Sequence, residues 1–173
     1  MGLLHKLGHL LTPKAKITLY YGLIFPHLQY GIIFWSAVCK EYFQKLFKLQ
    51  KSAVRILSGS GRYAHTADLF QKLEILNLYD INRWEMCKFV NDDLKLHHQF
   101  NFFSRSAIHN QGTRFQNCLA LPRYFTAKAQ KSVFYLGIKF FNELDLDFRN
   151  TVDRFKFKTK LKYLILQQHR SPP

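Results

Sequence analysis

Arg154, Lys156, Lys158, Lys160 and Lys162 fall within nine residues, interleaved with Phe155 and Phe157. On a helix, Arg154, Lys158 and Lys162 stand at i, i+4 and i+8 and line one face. Lysine and arginine neutralise backbone phosphates, and aromatic rings stack on bases, so this composition suits nucleic acid. The same run also fits a solvated helix face. Upstream, Lys45, Lys48, Ser52 and Arg55 share one stripe of a second helical stretch, with Lys51 beside them. Whole-chain charge favours the binding reading. Lys and Arg number 26 against 11 Asp and Glu, a net charge of +15. The excess is +7 over residues 1–75 and +8 over residues 76–173, so it is no detachable tail. Positive charge spread in this way favours a polyanion, nucleic acid before an anionic membrane surface.

Other chemistries find less support. Asp92-Asp93 is a carboxylate pair of the kind that holds two metal ions in nucleotidyl transfer. Its flanks read as helix rather than as a turn between strands, no third carboxylate stands on an upstream strand, and a solvated helix end is the plainer expectation. His97, His98 and His109 lack a cysteine or carboxylate at ligand spacing, so no metal site is expected. "SGSGRY" follows a helix instead of a strand and lacks the Gly-Lys-Ser/Thr ending of a phosphate loop. No GxSxG stretch or Ser/His/Asp order supports hydrolysis.

The elements that must position these residues read as mainly α. Thr12 can cap a first helix with Pro13 at its first position, and Pro26, lacking an amide hydrogen, marks a break. The stretch 40–57 places Tyr42, Leu46, Leu49, Ala53 and Ile56 at helical spacing and ends at "SGSG". Thr66 can cap "ADLFQKLEIL". In "YDINRWEMCKFVNDDLK", Ile81, Trp84, Cys87, Val90 and Leu94 face one way. Residues 97–117 read as a polar loop, and 118–136 carries turn residues and short extended runs that allow a β-hairpin. "IKFFNEL" reads as a short helix. The closing stretch reads as a helix with Phe157, Leu161 and Leu164 inward. The expectation is a helical bundle-like domain: a helical region 1–96, a loop 97–117, and a C-terminal region 118–173 with a basic closing helix.

The uncharged run Ile17–Cys39 is long enough to span a bilayer, with Lys16 and Lys40 on its flanks. Its centre reads Pro26-His27-Leu28-Gln29-Tyr30-Gly31, costly in hydrocarbon, and its Tyr and Trp residues are scattered along it. Two buried helical pieces are the better reading. Cys39, Cys87 and Cys118 are widely spaced without a CxxC pair, which fits reduced thiols and a nuclear or cytoplasmic, non-secreted setting. The start lacks a signal-peptide cleavage site.

"LYYGLIFPHLQYGIIFW" resembles a motif that follows the catalytic palm in LINE-type, jockey-like non-long-terminal-repeat retrotransposon reverse transcriptases. Leu19, Tyr20, Leu23, Ile24, Pro26, His27, Leu28, Tyr30, Gly31 and Trp35 carry the match. Further stretches resemble family motifs in family order: "LQKSAVRIL", "AHTADLFQKLEILNLYD", Thr113-Arg114, "YLGIKFFNEL" and "FKTKLKYLIL". Phe141 stands where the family has Trp, and Asp145 where it has Pro.

The resemblance implies a C-terminal, thumb-like, post-palm region of an RNA-directed DNA polymerase. Such a region helps hold RNA and DNA template–primer. The palm with its Asp-Asp turn is missing from these residues, so no catalytic residue is expected and the stretch alone should be inactive. The family's palm uses Mg2+; no cofactor is expected here. The expected partners are the phosphate backbone of RNA and DNA and the palm of a parent polymerase, with no membrane. The expected phosphate contacts are Lys45, Lys48, Lys51, Arg55, Arg114, Arg154, Lys156, Lys158, Lys160 and Lys162, with Trp35 and Trp84 in the core. The alternative is a protein-interaction module, or a non-functional remnant, exposing an apolar palm-facing surface.

Overall fold

A computed structural model describes residues 6, 10–37, 40–100, 102–108 and 116–168 of the chain. It is mainly helical. Helix α1 (Pro13–Leu19) starts as its sequence requires: the Thr12 hydroxyl accepts from the Ala15 amide at 3.4 Å, with Pro13 in the first turn. Pro26 does not break the chain that follows. A π-helical turn, Tyr20–Ile24, runs into α2 (Phe25–Gln29), and the Phe25 amide reaches back to the Tyr20 carbonyl. The wider turn accommodates a proline that lacks a donor and would crowd the carbonyl four residues earlier. The break falls at Gly31, at φ +61°, where a side chain would be strained. Helix α3 (Ile32–Trp35) follows.

The apolar run containing these helices is only half interior. Tyr20, Leu28 and Ile32 are buried, whereas Leu23, Tyr30 and Phe34 face outward. Among the described residues no helix is long and apolar enough to cross a membrane.

Helix α4 (Lys40–Ser58) ends where the glycines predict: Gly59 takes φ +67°, and the Ser60 amide bonds to the Arg55 carbonyl at 3.0 Å. Its inward face only partly matches the expected stripe: Ala53 is buried and Leu46 and Ile56 pack against the core as the spacing predicts, but the face is centred nearer Gln50. Phe43, Gln50, Ala53, Val54 and Leu57 are buried, with Phe47 partly so, while Tyr42 and Leu49 are exposed. Gln50 can sit inside because its amide donates to the Tyr20 hydroxyl and to the Leu76 carbonyl, both at 2.9 Å.

Thr66 precedes α5 (Ala67–Lys72) but makes no capping bond through its hydroxyl. Helix α6 (Leu78–Asp92) is capped by Asn77, which accepts from the amides of Tyr79 and Asp80, and continues as a π turn, Asp93–His97. Ile81, Trp84, Cys87 and Val90 face the main core as the spacing predicts, and Leu94 packs against it.

The segment read as a loop contains a short helix, α7 (Arg105–Ile108). The hairpin near 118–136 does not form among the described residues. Ser104 and Leu119 make an isolated antiparallel bridge, and Asn142 clamps the Leu119 backbone, accepting its N–H at 2.8 Å and donating to its C=O at 2.9 Å. Residues 129–131 and 133–137 wind into 3-10 and π turns, which leaves the extended stretch after Leu119 without a partner strand. Helices α8 (Ile138–Asn142), α9 (Leu146–Arg149) and α10 (Arg154–Gln168) complete the chain.

The main core gathers around α6, where Leu28, Ile32 and Phe43 from the first half meet Phe141, Phe157 and Leu161 from the second. A second cluster joins Tyr20, Val54, Leu57, Phe70 and Ile75.

Candidate nucleic-acid interface

Asp153 starts α10 by accepting from the amides of Phe155 and Lys156 at 2.8 and 3.2 Å. Phe157, Leu161 and Ile165 recur at i, i+4 and i+8, are buried, and fix the orientation of the helix against the core. Leu164 is only partly buried, at the edge of this stripe. The opposite face therefore carries Phe155, Thr159 and Tyr163, also at i, i+4 and i+8. Phe155 is 76% and Tyr163 59% exposed. Lys156 and Lys160 flank this ridge on one side, Lys158 and Lys162 on the other. The helix thus turns two large aromatic rings to water between two rows of lysine.

The charges on α10 are not equivalent. Arg154 pairs with Asp92 at 2.8 Å, which offsets its charge. Lys156 lies 4.0 Å from Asp153, both exposed, a separation at which an ion pair contributes little. Among the described residues no carboxylate pairs with Lys158, Lys160 or Lys162. Lys158 and Lys162 instead lean on aromatic faces: Lys158 Nζ is 5.4 Å from the Trp84 ring centre, and Lys162 Nζ is 5.0 Å from that of Tyr21 and 3.2 Å from its hydroxyl. Lys88 covers Trp84 more closely, at 4.2 Å, and pairs with Glu85 at 2.7 Å. Phe25 bridges the two sites, its ring centre 5.3 Å from that of Tyr21 and 6.4 Å from that of Trp84. A seam of lysine and aromatic side chains runs where α2, α6 and α10 meet. Lys88 was not among the expected contacts. Its position one turn after Trp84 was the available sign.

The expected contacts on α4 divide. Lys45 and Lys48 stand exposed on its outer face, Lys45 over the Tyr42 ring at 5.2 Å. Lys51 lies over Phe47 at 4.3 Å and lines a cleft of about 190 Å³ together with Phe70, Asp80 and Leu166, so the middle of α4 and the C-terminal end of α10 share a surface. Arg55 turns to structural work: its Nε donates to the Ala64 carbonyl at 3.0 Å. That bond holds the turn after α4, which projects Tyr63 at 90% exposure beside exposed Arg62. Arg114, like Cys39 and His109, lies outside the described residues.

The paired carboxylates are not the solvated helix end that their sequence suggests. Asp93 is buried and accepts from the backbone N–H of Gln99 at 2.9 Å and of Phe100 at 3.3 Å, closing the turn after α6. Both of its oxygens face amides, and its neighbour Asp92 faces Arg154. Among the described residues no three His, Cys, Asp or Glu side chains gather as a metal site. Trp84 is buried and Trp35 half-buried, its indole N–H donating to the Tyr30 carbonyl at 2.7 Å.

Comparison with protein-family models, with curated proteins and with solved structures finds no match to this chain.

Proposed function

We propose that this chain is a thumb-like, post-palm region of a LINE-type retrotransposon reverse transcriptase. It grips RNA and DNA template–primer through phosphate contacts while a palm domain not contained in these residues carries the chemistry. The ordered series of motifs supports the family. The observation that carries the binding role is the outer face of α10, where Lys156, Lys158, Lys160 and Lys162 flank exposed Phe155 and Tyr163. Such a face suits a polyanion with flat bases, which supplies phosphates to the lysines and ring faces to the aromatics.

The test is binding of the purified chain to a labelled RNA–DNA primer–template across a salt series, with Lys48→Ala/Lys160→Ala alongside. Affinity should fall steeply with salt. The double variant should bind more weakly and with a log–log salt slope smaller by about 1 to 2. Binding indifferent to both salt and the substitutions would refute the reading.

One observation favours a second reading, a protein-interaction module. Phe100, Phe102, Phe103, Ile108, Leu121 and Phe134 line an apolar groove of about 300 Å³. Association through this groove would persist or strengthen in sulfate, the opposite of phosphate binding.

A further inference from the structure

We infer that the α10 face takes an unpaired strand in preference to a duplex; this rests on the nucleic-acid reading of the same face. Lysines alone would serve either form, because both present phosphates. The aromatic ridge decides between them. Phe155 has no polar atom on its side chain and is 76% exposed, so it gains nothing from a phosphate and needs a flat apolar surface to cover it. In a duplex the base faces are already stacked on one another and only their edges reach the grooves. A single strand offers the faces themselves, and every base has one.

The spacing agrees. Phe155 and Tyr163 are eight residues apart, about 12 Å along the helix at 1.5 Å per residue. A strand whose bases leave one another to stack on the rings can follow this length with its phosphates beside the lysines. Thr159, between the rings, donates its hydroxyl to the Phe155 carbonyl at 3.0 Å and leaves the ridge low at its middle. Both rings lie on the face opposite Phe157, Leu161 and Ile165, so substituting them leaves the core intact.

The experiment uses the full chain and four probes: labelled oligothymidylate, the equivalent oligouridylate, a DNA duplex of the same length, and phosphatidylserine vesicles. Single strands should bind more tightly than duplex at matched salt. Phe155→Ala/Tyr163→Ala should lose about 10-fold or more on single strands and change duplex affinity by less than about 2-fold. Phe155→Tyr/Tyr163→Trp should retain binding, because the ring faces persist. Lys156→Ala/Lys160→Ala should weaken both forms. Helical circular dichroism and thermal midpoint should match across the variants.

Equal losses on single strand and duplex, or no loss from removing the rings, would overturn the inference while leaving primer–template binding standing. Vesicle binding that needs the rings, with nucleic-acid binding that does not, would also overturn it. Failure to bind any nucleic acid would overturn both this inference and the function proposed above.

Discussion

The indole N–H of Trp84 donates to the backbone carbonyl of Lys158 at 3.1 Å, across 74 residues of sequence. This bond fixes α10 on α6 in a single register. In that register Phe157 and Leu161 point inward, and the lysine-flanked ridge is held toward water. Trp84→Phe keeps most of the ring and loses the bond, and should cost about 1 kcal/mol. Trp84→Ala empties a core position and should cost about 3–5 kcal/mol. Urea denaturation measures both; a Phe variant as damaged as the Ala variant would show that the bond, and not ring packing, dominates.

Asp92 and Asp93 are adjacent yet should respond differently to substitution. Asp93→Ala strips the amides of Gln99 and Phe100 of their buried acceptor and should cost about 1–3 kcal/mol. Asp92→Ala breaks a pair whose Arg154 side chain is 66% exposed, and should cost under about 1 kcal/mol. Equal costs in denaturation would contradict these assignments.

Gly137 is buried, and a Cβ there would stand 3.1 Å from Val90 Cγ2 and 3.2 Å from Val133 Cγ2, with the Met86 carbonyl at 3.5 Å. Gly137→Val forces larger shifts between the π turn and α6 and should cost about 1–3 kcal/mol. Thermal denaturation would read it; a midpoint equal to wild type would mean that the valines have room to yield.

Burial pushes the Cys87 thiol up from its ordinary 9.0 to about 12; Arg83 opposes this shift and Glu143 adds to it. Burial also raises the Tyr20 hydroxyl well above its usual range, against the lowering effect of its bond from Gln50. Both groups hold their proton more tightly when folded. Their contribution to stability is therefore complete below the unfolded value and is lost as pH climbs toward the folded one. For Cys87 that window runs from about 9 to about 12. The thermal midpoint should fall as pH rises through it, and Cys87→Ala should flatten the fall. Iodoacetamide at mildly alkaline pH should leave Cys87 unmodified until denaturant is added.

Much of the helical layout was legible locally. Thr12-Pro13, the glycines after Ser58 and the spacing of Ile81, Trp84, Cys87 and Val90 each specify structure through neighbours a turn away. What failed depends on distant partners. On α4, hydropathy prefers Leu49 to Gln50, but Gln50 is interior because Tyr20 and the Leu76 carbonyl meet its amide. The hairpin failed because Asn142 and Ser104 take the backbone at Leu119. At the candidate site, the lysine run was visible as composition, but which rings face water followed only once Phe157, Leu161 and Ile165 had claimed the core.

The π turn at Tyr20–Ile24 acts as a phase corrector. Tyr20 and Leu28 are eight residues apart, which on a regular α-helix places them about 80° out of line. Absorbing one extra residue in the wider turn makes that interval behave as seven, about 20° from alignment. Both side chains then point inward, Tyr20 to the cluster under α4 and Leu28 to the one around α6. Deleting a single residue between 20 and 24 would let the wider turn close to a regular one and keep Tyr20 and Leu28 about 20° from alignment. Inserting a second residue there, with no second wide turn to absorb it, would instead rotate everything beyond it by about 100°, swing Leu28 toward the surface and misalign the frame that seats both cores.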